Sequence, residues 1–580
     1  MSRRDAWLLG ALAVVFALGV ARAVQLAWIC DDAFISLRYA ENLVAGHGLV
    51  YNPGERVEGY TNLLWTLLLA AWMRAGVDPI RAAELPGIAA WAGLALLLGH
   101  ASWLRSRAPG RAFLPLAAGL VLVCDDFQVW ATGGLETSLF CLLAAAGLLA
   151  TRDAGPSRDA GPSRARPALA GGLLALAVLT RPDGLLFAAA GVASWWMPRD
   201  RLPVRERRRA ALATLLPVAV VIAVLVPWKL AYYGEVFPTA FFSKSATRPY
   251  LWQGAVYLGV YLAKNWFLLV AGAAALAAWA LRVQPLPRAA RAEVAFLLAS
   301  AGLFAAWIVW VGGDFMAARR LLPAAPLVFL ALEERLACGP ARARGTALAG
   351  LLLVAAALPA PIFERLGRIN TIGDERRFYP PEAVDARRRQ GEAVGAALAG
   401  SGARVAFEGG MCVFGFYSRL PYLVELTGLT QYSLARRPLA SRGPIGHEKV
   451  ADDAWLRENR VQLVVSQDFP PVALPEVRRN DEVRFGDVAR ARIVFYDDAV
   501  MDALRGRPGV DFVPIERVLE AAAAQMQAAT PERAQEIFAS LDAWYFATAG
   551  PMGRESARPL RAIVARKRSG QRGAAERSQN

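Results

Sequence analysis

The stretch AWLLGALAVVFALGVARAVQLAWI, residues 6–29, decides the fold, because it is apolar apart from Arg22 and Gln25. As a helix rising about 1.5 Å per residue it extends roughly 36 Å, enough to cross a hydrocarbon core of about 30 Å. A cleaved leader has a shorter apolar region and a small-residue cleavage site. Here Cys30-Asp31-Asp32 follows instead, so a retained first spanning helix is predicted. Arg3 and Arg4 precede it and place its start on the cytoplasmic side.

Outward from that helix the pattern repeats. Apolar stretches follow at 85–104, 112–124, 135–150, 168–180, 184–197, 210–231, 263–281, 294–311, 321–334 and 346–362. Of 580 residues 56% are hydrophobic and only 20% charged, yet the formal net charge is +16. Disorder requires low hydrophobicity, and five scattered cysteines do not make a secreted disulfide scaffold. Nucleic-acid binding accounts for the charge but leaves the apolar excess unexplained, so no nucleic-acid partner is expected. A polytopic protein in membrane lipid, with basic loops on one side, accounts for both.

One stretch, Asn62 to Met73, is about 12 residues, roughly 18 Å as a helix, and too short to span. If it stays on the outer face as an interfacial or re-entrant helix, nineteen arginines, from Arg105 to Arg344, fall in the inner loops. The short outer loops then carry five cations: Arg181, Lys244, Arg248, Arg319 and Arg320. If it crossed, the bias would invert. The predicted fold is therefore a polytopic α-helical membrane protein of about 11 transmembrane helices over residues 1–362, with an outer loop at 30–85. Trp65 and Trp72 of the short helix are expected at the lipid interface.

From residue 363 onward no stretch can span. Strand-like runs at Arg404–Phe407, Val461–Val465 and Arg492–Tyr496, with helical runs near 381–399 and 514–547, read as an α/β domain over 363–564. An odd number of crossings from a cytoplasmic start puts this domain outside, in the periplasm of a bacterial inner-membrane protein. Residues 565–580 are basic and polar and are expected to form a disordered tail.

The first outer loop carries the densest polar pattern: Cys30-Asp31-Asp32, the turn Asn52-Pro53-Gly54-Glu55, and Val57-Glu58-Gly59-Tyr60-Thr61-Asn62. Two aspartates at a helix end are by themselves most often a solvated cap. Here the loop ends in a helix too short to span, which points to a built site. Adjacent carboxylates repel, which raises one pKa and suits proton abstraction or cation binding.

The run from Asp31 to Trp65, DDAFISLRYAENLVAGHGLVYNPGERVEGYTNLLW, resembles the signature of the terminal arabinofuranosyltransferase-like branch of the GT-C glycosyltransferases. Further segments resemble the same family in order: Gly133-Gly134-Leu135-Glu136-Thr137, Arg181-Pro182-Asp183-Gly184, Tyr232-Tyr233-Gly234 with Phe237-Pro238-Thr239 and Lys244, Gly312-Gly313-Asp314-Phe315-Met316, and Gly446-His447-Glu448-Lys449. The stretch Ala317-Ala318-Arg319-Arg320-Leu321 departs from it, where a proline and an aromatic are expected.

The resemblance implies a sugar donor linked to polyprenyl phosphate, a cell-envelope glycan acceptor, and chemistry at the outer leaflet. It implies Asp31 and Asp32 as catalytic carboxylates, Asp31 being the base by analogy. Glu58, Tyr60 and Asn62 would contact substrate as parts of the first motif, and Asp314 as part of a later one. A phosphate leaving group needs cations or backbone donors, and Lys244, Arg319, Arg320, His447 and Lys449 are the candidates, with Glu448 between the last two. One aspartate could instead hold a divalent cation, Mg2+ or Mn2+, although no metal-ligand spacing is visible in the sequence. The resemblance does not fix the sugar, so hexose and aminosugar donors stay open. A transporter or flippase for a lipid-linked sugar is the rival class. Transporters place ionisable groups near the midplane and show paired repeats, whereas the polar motifs here crowd one face.

Overall fold

The computed structural model describes residues 3–107, 111–152, 165–197, 203–280, 286–338, 350–352, 355, 361–466 and 481–579. The first apolar stretch is a helix over Arg3–Gln25. Three more helices are long and apolar enough to cross a bilayer: Pro79–Ser106, Val204–Tyr233 and Arg288–Trp310. Two further spans are broken: Asp125–Thr132 meets Thr137–Arg152 at 116°, and Leu251–Lys264 meets Phe267–Ala273 at 90°. The chain is a polytopic helical membrane protein, with four such helices among the described residues and six if each bent pair is one span.

The other expected spans are shorter. Leu116–Val123 has 8 residues, Ala165–Thr180 has 16, Gly184–Ala193 has 10 and Ala325–Ala337 has 13. Most of the stretch expected at 346–362 lies outside the described residues. The short helix appears as Leu63–Arg74, with Asn62 at its N-cap. Trp65 is fully buried and its Nε1 donates to the carbonyl of Gly134 at 3.1 Å, so it ties the short helix to the Gly133-Gly134 turn and is not a lipid anchor. Trp72 remains exposed.

The chain divides into two compact units. The first comprises Met1–Val50, Arg56–Pro381 and Leu439–Glu448; the second comprises Tyr51–Glu55, Glu382–Pro438 and Lys449–Asn580. The boundary thus falls at Pro381 and not at residue 362, and a ten-residue strap that includes His447 belongs to the first unit. Inside the first unit an aromatic stack fixes neighbouring helices: Phe187 lies on Phe304 at 4.7 Å and Phe140 meets Phe187 edge-on at 5.8 Å.

The second unit is built on a six-stranded sheet of order β2-β1-β3-β5-β4-β6. The strands are β1 Val405–Phe407, β2 Leu423–Glu425, β3 Leu463–Val465, β4 Glu482–Phe485, β5 Ala489–Ile493 and β6 Val510–Phe512. β1 pairs parallel with β2 and β3, and the remaining pairings are antiparallel. The third expected strand sits a few residues early, because Ala489, Ala491 and Ile493 face inward while Arg490 and Arg492 alternate outward or halfway. At the β2 edge the Asn52 side-chain amide pairs with both backbone groups of Leu423, at 2.9 Å each. Residues 565–579, expected as a disordered tail, are the end of the helix Gly550–Gln579. Ala557, Leu560 and Val564 bury one face of that helix at 3–4-residue spacing, which is why it forms.

Candidate active site

The turn after the first helix sets the acidic pair. Cys30 N donates to the carbonyl of Gly133 at 3.1 Å, and three successive turn bonds, from Ala33, Phe34 and Ile35, wind the chain into the helix Ala33–Val44. Asp32 occupies the N-cap of that helix without its side chain making a cap bond. Asp31 is 2% exposed, whereas Asp32 is half-buried. The charges facing Asp32 are Arg319, Lys244, His447 and Asp314. Burial raises its carboxyl above the ordinary value despite the cations.

Asp314 follows two glycines at φ +91° and +75°. A Cβ at Gly313 would lie 2.4 Å from Cγ of the Tyr257 ring, so only glycine admits this approach. Asp314 is fully buried, accepts from Phe315 N at 2.9 Å and from Arg320 Nε at 3.3 Å. Burial alone would raise it, but Lys244, Arg320 and Arg319 outweigh that and hold it at about 2.

Arg319 and Arg320 belong to a closed ring of ion pairs. Arg319 reaches Glu136 at 3.1 Å and Asp314 at 4.0 Å; Arg320 reaches Asp314 at 3.3 Å and Asp183 at 3.6 Å. Arg181 closes the circuit, 2.5 Å from Asp183 and 3.9 Å from Glu136. Ala318, immediately before the two arginines, sits at φ +63°, a strained conformation for a residue with a Cβ. Both arginines were expected to serve a phosphate, but their charges are already balanced by carboxylates. Asn62 is tied to the same ring: its amide donates to Glu136 at 3.0 Å and its oxygen accepts from Ser36 and Thr66 at 3.1 Å each.

The remaining basic side chains are Lys244 and His447. Lys244 caps the short helix Thr239–Ser243 and is half-buried; it has no ion pair among the described residues. Burial lowers its pKa, with Asp314 opposing. Gly446 lies against it, a Cβ there meeting Lys244 Cε at 3.4 Å, and the next residue, His447, stands edge-on to Phe315 at 4.9 Å. Burial also lowers the His447 pKa, against the pull of Asp32.

Four other expected residues lie apart from this cluster. Glu58 pairs with Lys229 at 2.6 Å, and burial raises it to about 7 despite that partner. Tyr60 bonds Tyr233 at 3.0 Å, which in turn donates to the carbonyl of Leu49. These two fasten the outer loop, and the Glu58 carbonyl also accepts from Thr239 N at 2.9 Å, at the start of the helix that presents Lys244. Glu448 accepts from Arg442 and from Gly443 N, closing its own loop. Lys449 belongs to the second unit and donates to the carbonyl of Ala435 at 2.6 Å. In short, the structure gathers Asp31, Asp32, Lys244, Asp314, Arg319, Arg320, His447 and Asn62, and sets Glu58, Tyr60, Glu448 and Lys449 in packing roles.

Two participants were absent from the expected set. Glu136, part of the segment Gly133-Gly134-Leu135-Glu136-Thr137 but not among the expected site residues, pairs with both Arg181 and Arg319 in the ring. Glu375 lies in no motif and gives no sequence signal, yet it faces Asp32 and Asp31 from the turn Glu375–Phe378. Among the described residues no group of three or more His, Cys, Asp or Glu could hold a metal ion, and Cys30 and Cys124 are free and buried.

No family model matches the chain. Two curated proteins named terminal β-(1→2)-arabinofuranosyltransferase are similar to it. That of Mycobacterium tuberculosis is 34% identical over 367 residues, covering 57% of this chain and 55% of that protein. That of Corynebacterium glutamicum is 28% identical over 334 residues, covering 51% and 46%. Solved structures with a looser likeness include ArnT from Cupriavidus metallidurans bound to undecaprenyl phosphate, at TM-score 0.42 and 17% identity, covering 76% of this chain and 77% of that one. The oligosaccharyltransferase of Archaeoglobus fulgidus aligns at TM-score 0.45 and 13% identity, covering 79% and 69%. The chain spans about half the length of the curated relatives it matches, and over that half it is similar to proteins bearing the name of the family that its first outer loop resembles.

Proposed function

We propose that the chain is a membrane glycosyltransferase of the GT-C type, moving an arabinofuranosyl-type sugar from a polyprenyl-phosphate donor to a cell-envelope glycan at the outer face of the inner membrane. The observation that carries this reading is the convergence, in one site, of the buried Asp31 and half-buried Asp32 with Lys244, a cation that the ion-pair ring leaves unneutralised, and with the His447 imidazole. The similarity to the two named arabinofuranosyltransferases supports the choice of sugar. The arginine bias of the loops supports a cytoplasmic start, about 11 crossings and an outer α/β domain over 382–564.

In this reading the acceptor hydroxyl gives its proton to a carboxylate as its oxygen bonds the anomeric carbon. The bond from that carbon to the donor phosphate breaks, and the phosphate departs as an anion. Asp32, half-buried and facing Lys244 and His447, is better placed to meet the acceptor than Asp31, which is 2% exposed; we assign the base to Asp32 and the positioning of the turn to Asp31. Lys244 and His447 meet the departing phosphate. The test is transfer from a polyprenyl-phosphate arabinofuranose by the purified, reconstituted chain. Asp32→Asn is expected to lose about 10²–10⁴-fold in rate, the usual worth of a positioned base; full activity in a folded Asp32→Asn protein overturns the reading.

A further inference from the structure

A fourth carboxyl reaches the site from a segment that no motif marks. Glu375 is 3% exposed. Among the described residues no hydrogen bond or ion pair holds it, and its interactions are with charges at longer range. Those charges are Asp32 and Asp31 on the first outer loop, Asp314 on the glycine loop, and Arg368 on its own segment; Cys30 and Tyr379 are the neighbouring thiol and phenol.

The backbone that delivers Glu375 is over-determined. Gly373 N donates to the carbonyl of Phe315 at 2.9 Å, and Ala317 N donates to the carbonyl of Gly373 at 3.0 Å, which lashes this segment to the loop of Asp314. Just before it, Asn370 and Thr371 both hold positive φ, +46° and +72°. Asn370 is clamped by Gln253 through two bonds of 2.9 and 2.5 Å. Two successive strained residues persist only where the surroundings impose them, so the placement of this carboxyl is a built feature.

Carboxylates that converge in a buried site cannot all ionise; one keeps its proton. Asp314 is matched by Arg320 and Arg319, and Asp32 faces Lys244 and His447. Glu375 faces Arg368, but among the described residues no cation comes within ion-pair distance of it. We infer that Glu375 is the neutral member of this acidic cluster at neutral pH, and that its ionisation repels an incoming phosphate, making it a pH gate on the binding of an anionic donor. Burial first, and then the charge of Asp32, push its carboxyl up to about 8, where the gate acts. The inference rests on the proposed function only for the identity of the anion. Glu375 is a positioning group that acts through charge and does not exchange protons with the substrate.

The experiment measures the donor KM and kcat of the reconstituted full chain from pH 6 to 9.5. With one proton released near pH 8, donor kcat/KM is expected to fall about tenfold between pH 7 and pH 9, carried by KM with kcat nearly constant. Glu375→Gln, which mimics the neutral form, is expected to remove that loss, while Glu375→Asp, which keeps a carboxyl, retains it. An alkaline KM rise that persists undiminished in Glu375→Gln overturns the inference. Infrared difference spectra of wild type against Glu375→Gln supply a readout independent of catalysis. A carboxylic-acid carbonyl band present at pH 7 and lost by pH 9.5 is expected in the wild type alone. Its absence at pH 7 overturns the gate even if no sugar donor proves active, and its presence with no measurable transfer fails the proposed function and leaves Glu375 neutral as inferred.

Discussion

Two charge clusters in the first unit follow opposite rules. The ring of Glu136, Arg319, Asp314, Arg320, Asp183 and Arg181 matches three carboxylates with three guanidiniums, each link 4.0 Å or less. Beside it, Asp32, Glu375 and Lys244 have no ion pair at all among the described residues. A balanced buried network spends its charge on holding loops in place, and removing one member strands another in low dielectric. An unbalanced group has charge left over for a ligand, and perturbed groups of that kind concentrate at functional sites. Charge count alone does not separate the two, but pairing does.

The sharpest way to break this contrast is to remove one member of each cluster. Asp32→Asn is expected to abolish about 10²–10⁴ of the transfer rate with a melting temperature close to wild type, because no partner is stranded. The wild-type rate should also fall on acidification at a pH above the ordinary carboxylate range. A base must be ionised, burial raises the Asp32 pKa, and the protonated fraction therefore grows earlier as pH drops. Arg181→Ala is expected to do the reverse, costing about 3–5 kcal/mol of stability by opening the ring and leaving Asp183 with Arg320 alone and Glu136 with Arg319 alone. A thermal melt in detergent checks it. Equal melting curves for the two variants would erase the distinction between the clusters.

A smaller effect sharpens the assignment of cations. Lys244→Gln is expected to raise the donor KM by about 10- to 100-fold, as for a lost charge-assisted contact, with little change in the melt. Arg320→Gln is expected to lower the melt and to change KM less than Lys244→Gln does. Donor titrations with both variants in the same lipid decide the order.

How much of this was legible in the sequence follows the same division. The acidic pair, Lys244, Asp314 and His447 lie in short local motifs, and a motif is readable without knowing what it touches. The ring was not readable as a ring. Glu136 and Arg319 are 183 residues apart, and nothing local in either distinguishes a guanidinium awaiting phosphate from one already paired. Glu375 was invisible for the same reason, because its neighbours come from the loop of Asp31 and Asp32 and from the distant glycine loop of Asp314. The long helices were legible from unbroken apolar runs, whereas the 8-residue Leu116–Val123 and the bent pairs share the composition of a span and differ from one only in where the backbone breaks. The sheet of the second unit was found in part. Three-residue strands such as Val405–Phe407 are shorter than the period-two pattern needs to assert itself.

The smallest expected effect tests the edge of the site. His447 and Lys449 are two residues apart in one motif, yet the first faces Asp32 and Lys244 while the second donates to the carbonyl of Ala435 in the other unit. Lys449→Met keeps the length of the stem and removes the donor. It leaves the last carbonyl of the helix Tyr432–Ala435 short of a partner, at a cost of about 1–2 kcal/mol. Transfer kinetics should stay within about twofold of wild type, since losing a hydrogen bond internal to the second unit changes stability and not the barrier. His447→Gln should show the opposite pattern, with an unchanged melt and a several-fold higher donor KM. Kinetics and melts on this pair ask whether two neighbours in one motif serve one purpose. If Lys449→Met weakens donor binding as much as His447→Gln, the motif acts as a unit and the line drawn between pairing and leftover charge runs through the wrong residues.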